Sequence, residues 1–146
     1  MPNTPAILET SSRFYPLLLL VDDLQPSNLF DATFGTSKVD PHLFVDCTEL
    51  ARQAKFIWKT KQKLPIVLIQ MESYDICSET IDELKSSGAF AHLLPKMVVA
   101  KNFTSKQKIS ILEKGAIDVL IDYPIEPDLM FAQIGALQRR IEAYFL

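Results

Sequence analysis

The stretch Pro16–Asp23, PLLLLVDD, sets the narrowest limits on what this chain can become. Leu17, Leu18, Leu19, Leu20 and Val21 form an unbroken apolar run, too short to span a bilayer and too uniform for a strand with one wet face. Opened by proline and closed by acids, it reads as a central strand buried on both faces. Asp22 and Asp23 then stand at its carboxyl end, the edge of an open α/β sheet where ligands and chemistry collect.

The rest of the chain supplies neighbours for that strand, itself about Tyr15–Val21. Residues 1–13 are polar, hold two prolines and read as a loose leader, or as a cover for a sheet edge, before a domain over 14–146. Phe30 and Phe34 fall on one face of a short helix that Gly35 stops. His42–Val45 is a weaker strand. Asp46-x-x-Glu49 has the form of a capping box, after which Leu50, Ala54, Ile57 and Trp58 keep helical spacing to about Lys61. Lys59, Lys61 and Lys63 crowd that helix's end, where cations favour the dipole.

Pro65 opens a second buried run, Ile66–Ile69. Met71–Asp75 reads as a loop, and a helix follows from near Ile76 to Ser87 with Ile81 and Leu84 inward and Gly88 ending it. Met97–Ala100 is a fourth strand. Thr104-x-x-Gln107 is another capping box, with Ile109, Leu112 and Ala116 assigned to the buried side and Gly115 at the close. Val119–Ile121 is a fifth, short strand. Pro127 opens a last helix to about Tyr144, with Met130, Ile134, Leu137 and Ile141 on one face and Ile125 placed to staple to Met130. Strand and helix alternate throughout, which predicts one doubly wound α/β domain with a parallel sheet.

Composition removes several functions. A net charge of −3 argues against a nucleic-acid binder, and the Arg139-Arg140 pair reads as a solvated spot on a helix. With only four glycines, none between a strand and a helix start, there is no phosphate-cradling loop. His42 and His92 have no ligand-spaced partners, and Cys47 and Cys77 lack a CxxC spacing, so buried inert thiols are expected. Ser73 and Ser78 lack the Gly-x-Ser-x-Gly setting of a hydrolase. No signal peptide or membrane span is evident, and the cytoplasm is the expected home.

LLLLVDDLQPSN (Leu17–Asn28) resembles the opening of a bacterial two-component response-regulator receiver domain, and Ile111–Arg140 resembles the same family's end. The resemblance implies a flavodoxin-like (βα)5 sandwich of strand order 2-1-3-4-5. It also implies phosphoryl transfer to an aspartate at the third strand's end, with Mg²⁺ held by the acidic pair, a lysine at the fifth strand's end, and a threonine or serine switch at the fourth. Only the acidic pair survives here. The acceptor position falls on Met71, or on Gln70 with a shift of one, and neither forms an acyl phosphate. The switch position falls on Ala100 or Lys101, and the lysine position on Tyr123, preceded by Asp122. One extra residue before Pro124 leaves room for a local bulge.

The chain therefore reads as a degenerate receiver, a pseudo-receiver: a protein-interaction module in signal transduction, not an enzyme, without conventional aspartyl phosphorylation. Asp22 and Asp23 repel each other unless a cation lies near, which Lys101 would supply; otherwise both face water and one caps a helix. Mg²⁺ at Asp22 and Asp23 is expected to be weak at most, and no other cofactor is expected. By the resemblance, Lys106, Lys108, Tyr123, Phe131 and Gln138 form the interaction face, for a signalling partner or for a homodimer through the last helix. Leu129, Phe131, Tyr144, Phe145 and Leu146 give that helix more apolar surface than covering a sheet needs, though some of it would wrap the sheet edge. The alternatives are a working phosphorelay receiver using Glu72 or Asp75, and a flavodoxin-like ligand binder.

Overall fold

Leu17 and Leu18 are consecutive and both fully buried, so the first strand carries protein on either side. In this computed structural model, which describes residues 15–22, 39–114 and 117–145, that strand is β1, Tyr15–Val21. It lies between β2 (Val39–Phe44) and β3 (Ile66–Gln70), followed outward by β4 (Lys96–Ala100) and β5 (Val119–Asp122). All pairings are parallel and the order is β2-β1-β3-β4-β5, the doubly wound 2-1-3-4-5 sheet expected of the chain. The predicted helix at Phe30–Phe34, the leader, Asp23, Gly115, Ala116 and Leu146 lie outside the described residues.

Five helices connect and cover the described sheet: α1 (Cys47–Lys61), α2 (Tyr74–Ser86), α3 (Ala89–Leu93), α4 (Ser105–Glu113) and α5 (Pro127–Phe145). The core runs through Leu17–Leu20, Ile66–Ile69 and Met97–Val99 on the strands, and Leu50, Ile81, Leu84, Met130, Ile134 and Leu137 on the helices. No helix among the described residues is long and apolar enough to cross a membrane.

Caps set several helix starts. Asp46 accepts the Thr48 amide at 3.0 Å, but Glu49 turns to Arg52 and Gln53, so the first predicted box closes on one side only. The second is complete: Thr104 Oγ1 accepts the Gln107 amide at 3.1 Å, and Gln107 Oε1 accepts the Thr104 amide at 2.9 Å. Ser73 caps α2 by accepting the Ile76 amide, so that helix begins earlier than predicted and Asp75 sits in its first turn, not in a loop.

Three further expectations change. The second strand begins at Val39, because Pro41 inside it masked the pattern; proline is tolerated here since β2 is an edge strand. Gly88, at φ 130°, does not simply end a helix but leads into α3, a turn too short to show a period. On α4 the inward residue is Ile111, 0% exposed, while Ile109 and Leu112 stand 55% and 46% exposed. Residues 109 and 112 make one stripe and 111 the other, and a nine-residue helix cannot declare between them. Tertiary contacts decide: Tyr74 packs edge-on against Phe103 and donates to Ser110 Oγ at 2.9 Å, drawing the Ile111 side inward.

Candidate functional site

The carboxyl edge of the sheet gathers the residues that the receiver resemblance singles out. Val21 pairs with Gln70, Ile69 with Val98, and Ala100 with Asp122. Carrying the β1–β3 register one residue on, and the β3–β4 register two, sets Asp22, Met71, Ala100 and Asp122 in one row across four strands. The paired residues of β5 keep an unbroken register, with no bulge among them.

Met71 is buried, and its thioether has no ionisable oxygen with which to attack phosphorus. Gln70 is half-buried at the end of β3. Asp22 is exposed and accepts the backbone N–H of Glu72 at 2.9 Å, which ties the β3–α2 loop to the end of β1. The Glu72 carboxylate in turn lies 3.9 Å from the Lys101 ammonium. Lys101 also stands over the Tyr123 ring, 5.4 Å from its centroid, so one cation links the loops after β3, β4 and β5.

Of the two expectations for the acidic pair, a Lys101 cation or exposure to water, the described member Asp22 is exposed, and Lys101 pairs with Glu72. The magnitudes rank these contacts. With the Glu72 side chain 70% exposed, its ion pair contributes roughly 0–1 kcal/mol, and an exposed cation–π contact about 0.5–1 kcal/mol. The exposed hydrogen bond from the Glu72 amide to Asp22 contributes about 0.5–1.5 kcal/mol net of water. Asp22 is thus chiefly a loop anchor. Ala100 offers no hydroxyl, and Thr104 is used as a helix cap. Asp122 holds the Lys108 ammonium at 2.8 Å.

Of the acidic pair expected to hold Mg²⁺, only Asp22 is among the described residues, and the donors described around it match that ion poorly. The ion takes hard oxygen ligands in an octahedron, whereas Met71 brings sulfur and Glu72 already faces an ammonium. No group of three or more His, Cys, Asp or Glu able to hold a metal converges among the described residues.

The residues assigned to an interaction face divide. Lys106 is exposed on α4, Lys108 is engaged with Asp122, and Tyr123 is 46% exposed. Phe131 packs against the core, and Gln138 bonds Glu142 at 3.0 Å along α5. The apolar groups that do face outward beside β5 are Ile109 and Leu112 from α4, Tyr123, and Leu129 from α5, itself 54% exposed. At the far end of α5, Tyr144 is also exposed.

Sequence reasoning missed the most unusual ionisable group among the described residues. Lys96 opens β4 with none of its surface exposed, and its ammonium donates to the carbonyls of His92 at 2.9 Å and Leu94 at 2.8 Å. Burial pulls it down from the ordinary 10.5 to about 8, against the opposing pull of Asp118. The only hint in the sequence was a lysine between Pro95 and an apolar run. Burial pushes the Cys47 and Cys77 thiols up to about 12, with Glu83 adding to the effect at Cys47, so both behave as the inert thiols expected.

No protein-family model matches this chain, and no curated protein sequence does. Solved structures do. The signal receiver domain of a protein described as a Luxo repressor from Vibrio parahaemolyticus superposes with a TM-score of 0.61 at 12% identity, covering 90% of this chain and 95% of its own. A protein described as a response regulator from Chloroflexus aurantiacus gives 0.59 at 16% identity, covering 86% of this chain and 98% of its own. At such identities the likeness is one of architecture: this chain has the fold of a receiver domain.

Proposed function

We propose that this chain is an atypical receiver, a non-enzymatic protein-interaction module of a signalling pathway that works without conventional aspartyl phosphorylation. The observation that carries the reading is the row Asp22, Met71, Ala100, Asp122. At the strand end where a receiver needs a nucleophilic carboxylate stands a buried thioether, and the strand ends beside it lack the hydroxyl and the lysine of the switch. The Glu72–Lys101–Tyr123 contacts join the same loops by an internal cation. The free, buried cysteines Cys47 and Cys77 suit a reducing compartment such as the cytoplasm.

Signal is then read from surface, not from chemistry at the sheet edge. Ile109 and Leu112 on α4, Tyr123 just after β5 and Leu129 on α5 are exposed apolar residues; the Lys108–Asp122 pair ties α4 to β5, and Lys106 and Asp128 are exposed beside them in sequence. Exposed apolar residues in charged company are what a protein-docking surface presents. A signalling partner or a second copy of the chain would cover it.

A second reading has one observation in its favour. Glu72 places a carboxylate beside a lysine and next to Asp22, the company that an acceptor acid keeps. Treatment with acetyl phosphate or phosphoramidate in the presence of Mg²⁺, followed by intact-mass measurement, separates the two. The pseudo-receiver leaves the mass unchanged. A single phosphoryl adduct, lost in Glu72→Gln or in Asp75→Asn, would make this a working receiver with a displaced acceptor. For the docking face, sedimentation across concentrations tests the homodimer: self-association weakened by Leu129→Glu supports it, and a monomer throughout removes it.

A further inference from the structure

The amino edge of the sheet, opposite the row at Asp22, holds two adjoining cavities against the last turns of α5. One, of about 260 Å³, is lined by Tyr15 at the start of β1, by Trp58, Lys61 and Lys63 around the end of α1, and by Glu142 of α5. The other, of about 180 Å³, is lined by Leu93 and Pro95 ahead of β4 and by Leu137, Arg140 and Tyr144 of α5. Leu64 and Ile141 belong to both, so the two make one groove, running from the start of β1 to the start of β4. Leu64, Leu137 and Ile141 are buried, whereas Leu93 and Tyr144 stand 71% and 79% exposed, more than any other large hydrophobic residue described. The far end of the groove is therefore apolar surface open to solvent.

We propose that the segment Ala6–Phe14 of this chain docks in the groove as an intramolecular strap, with Ile7 and Leu8 seated against Leu93 and Tyr144. Three observations choose this occupant. The first is the point of attachment: Tyr15 lines the groove and its hydroxyl donates to the Leu64 carbonyl, so the chain ahead of Tyr15 leaves β1 at the groove itself. The second is reach. Seven residue steps lead back from Tyr15 to Leu8, and an extended chain covers about 23 Å in that number. Since β4 lies two strands from β1, about 10 Å away, Leu8 reaches the Leu93 end with chain to spare. The third is the order of charge. Within the segment the only base is Arg13 and the only acid Glu9. Arg13, beside Tyr15, comes to the cavity that Glu142 lines; Glu9, beside Leu8, comes to the one that Arg140 lines. Exposed ion pairs hold little, so these charges set the direction of the strap while the two aliphatic side chains hold it. A segment tethered this closely faces its site at an effective concentration on the order of millimolar, an advantage that no free partner has.

The test uses the full chain with labelled methyl groups, followed by nuclear magnetic resonance. Overhauser contacts from the Leu8 methyls to the Leu93 methyls and the Tyr144 ring are expected, with the Leu8 signals displaced from their positions in a synthetic peptide of residues 1–14. Leu93→Ser, a change at an exposed position, should abolish these contacts and return the Leu8 signals to the peptide positions. Ile7→Ser combined with Leu8→Ser should shift the Leu93 methyls, and Val45→Ser, at the opposite edge of the sheet, should alter nothing. Leu8 signals already at the peptide positions in the unaltered chain overturn the proposal, as do contacts that survive Leu93→Ser. So do contacts seen only between chains in a mixture of two isotopic labels, which assign the groove to a second copy, and contacts of Leu93 and Tyr144 with Leu146 in place of Leu8, which assign it to the carboxyl end.

Discussion

A lysine with no exposed surface must keep its ammonium hydrogen-bonded or give up its proton, and Lys96 sits near the balance of the two. Its two partners, the His92 and Leu94 carbonyls, are satisfied by an amine as well as by an ammonium. Lowering from 10.5 to about 8 corresponds to roughly 3 kcal/mol between the protonation states. Below about pH 8 both folded and unfolded chains hold the proton and the penalty is fully present. Between about 8 and 10.5 the unfolded chain holds it while the folded one has released it, so this residue makes stability rise with pH. The buried cysteines act in the opposite sense from about pH 9 upward, their folded forms keeping protons that the unfolded chain loses. Both are common to wild type and Lys96→Met, so denaturation of the pair at each pH isolates the lysine: the wild type should gain on the variant from pH 8 to 10.5. At the other edge, Asp22→Ala should free the Glu72 amide, costing about 0.5–1.5 kcal/mol and speeding its hydrogen exchange. Asp22→Asn keeps an acceptor oxygen and should change both less.

Among the elements, α4 separates what is written locally from what is decided by neighbours. Its start was legible, because Thr104 and Gln107 need only each other. Its inward side was not, because the choice between Ile111 and the Ile109–Leu112 stripe is made by Tyr74 and Phe103 on other segments. Ile111→Ala should therefore cost about 2–5 kcal/mol in urea unfolding and Ile109→Ala no more than about 0.5 kcal/mol. Equal effects would mean that the helix is rotated. Thr104→Ala should cost about 1 kcal/mol through the lost cap. The same contrast holds elsewhere: β1 and β3 were readable as unbroken apolar runs, whereas α3 has five residues and no period to read. At the site, residue types and strand ends could be read from Met71, Ala100 and Tyr123, but the Glu72–Lys101 pairing depends on how a loop folds back. Burial of Lys96 is likewise a property of what surrounds it, with no mark in its own segment.

At the scale of the molecule, the order β2-β1-β3-β4-β5 of the described sheet places three of its strands inside and two at its margins. Amides of β1, β3 and β4 have neighbours on both sides, so their exchange should require global opening, while those of β2 and the four-residue β5 should exchange through smaller local openings. Uniform protection across all five strands would contradict this gradient. The position of Lys96 has a kinetic consequence of its own. An amine-acylating reagent reaches exposed lysines at once, but it meets this one only when β4 parts from its neighbours. The slow appearance of label on Lys96 therefore keeps time for the whole domain, a clock that advances only while the molecule stands open.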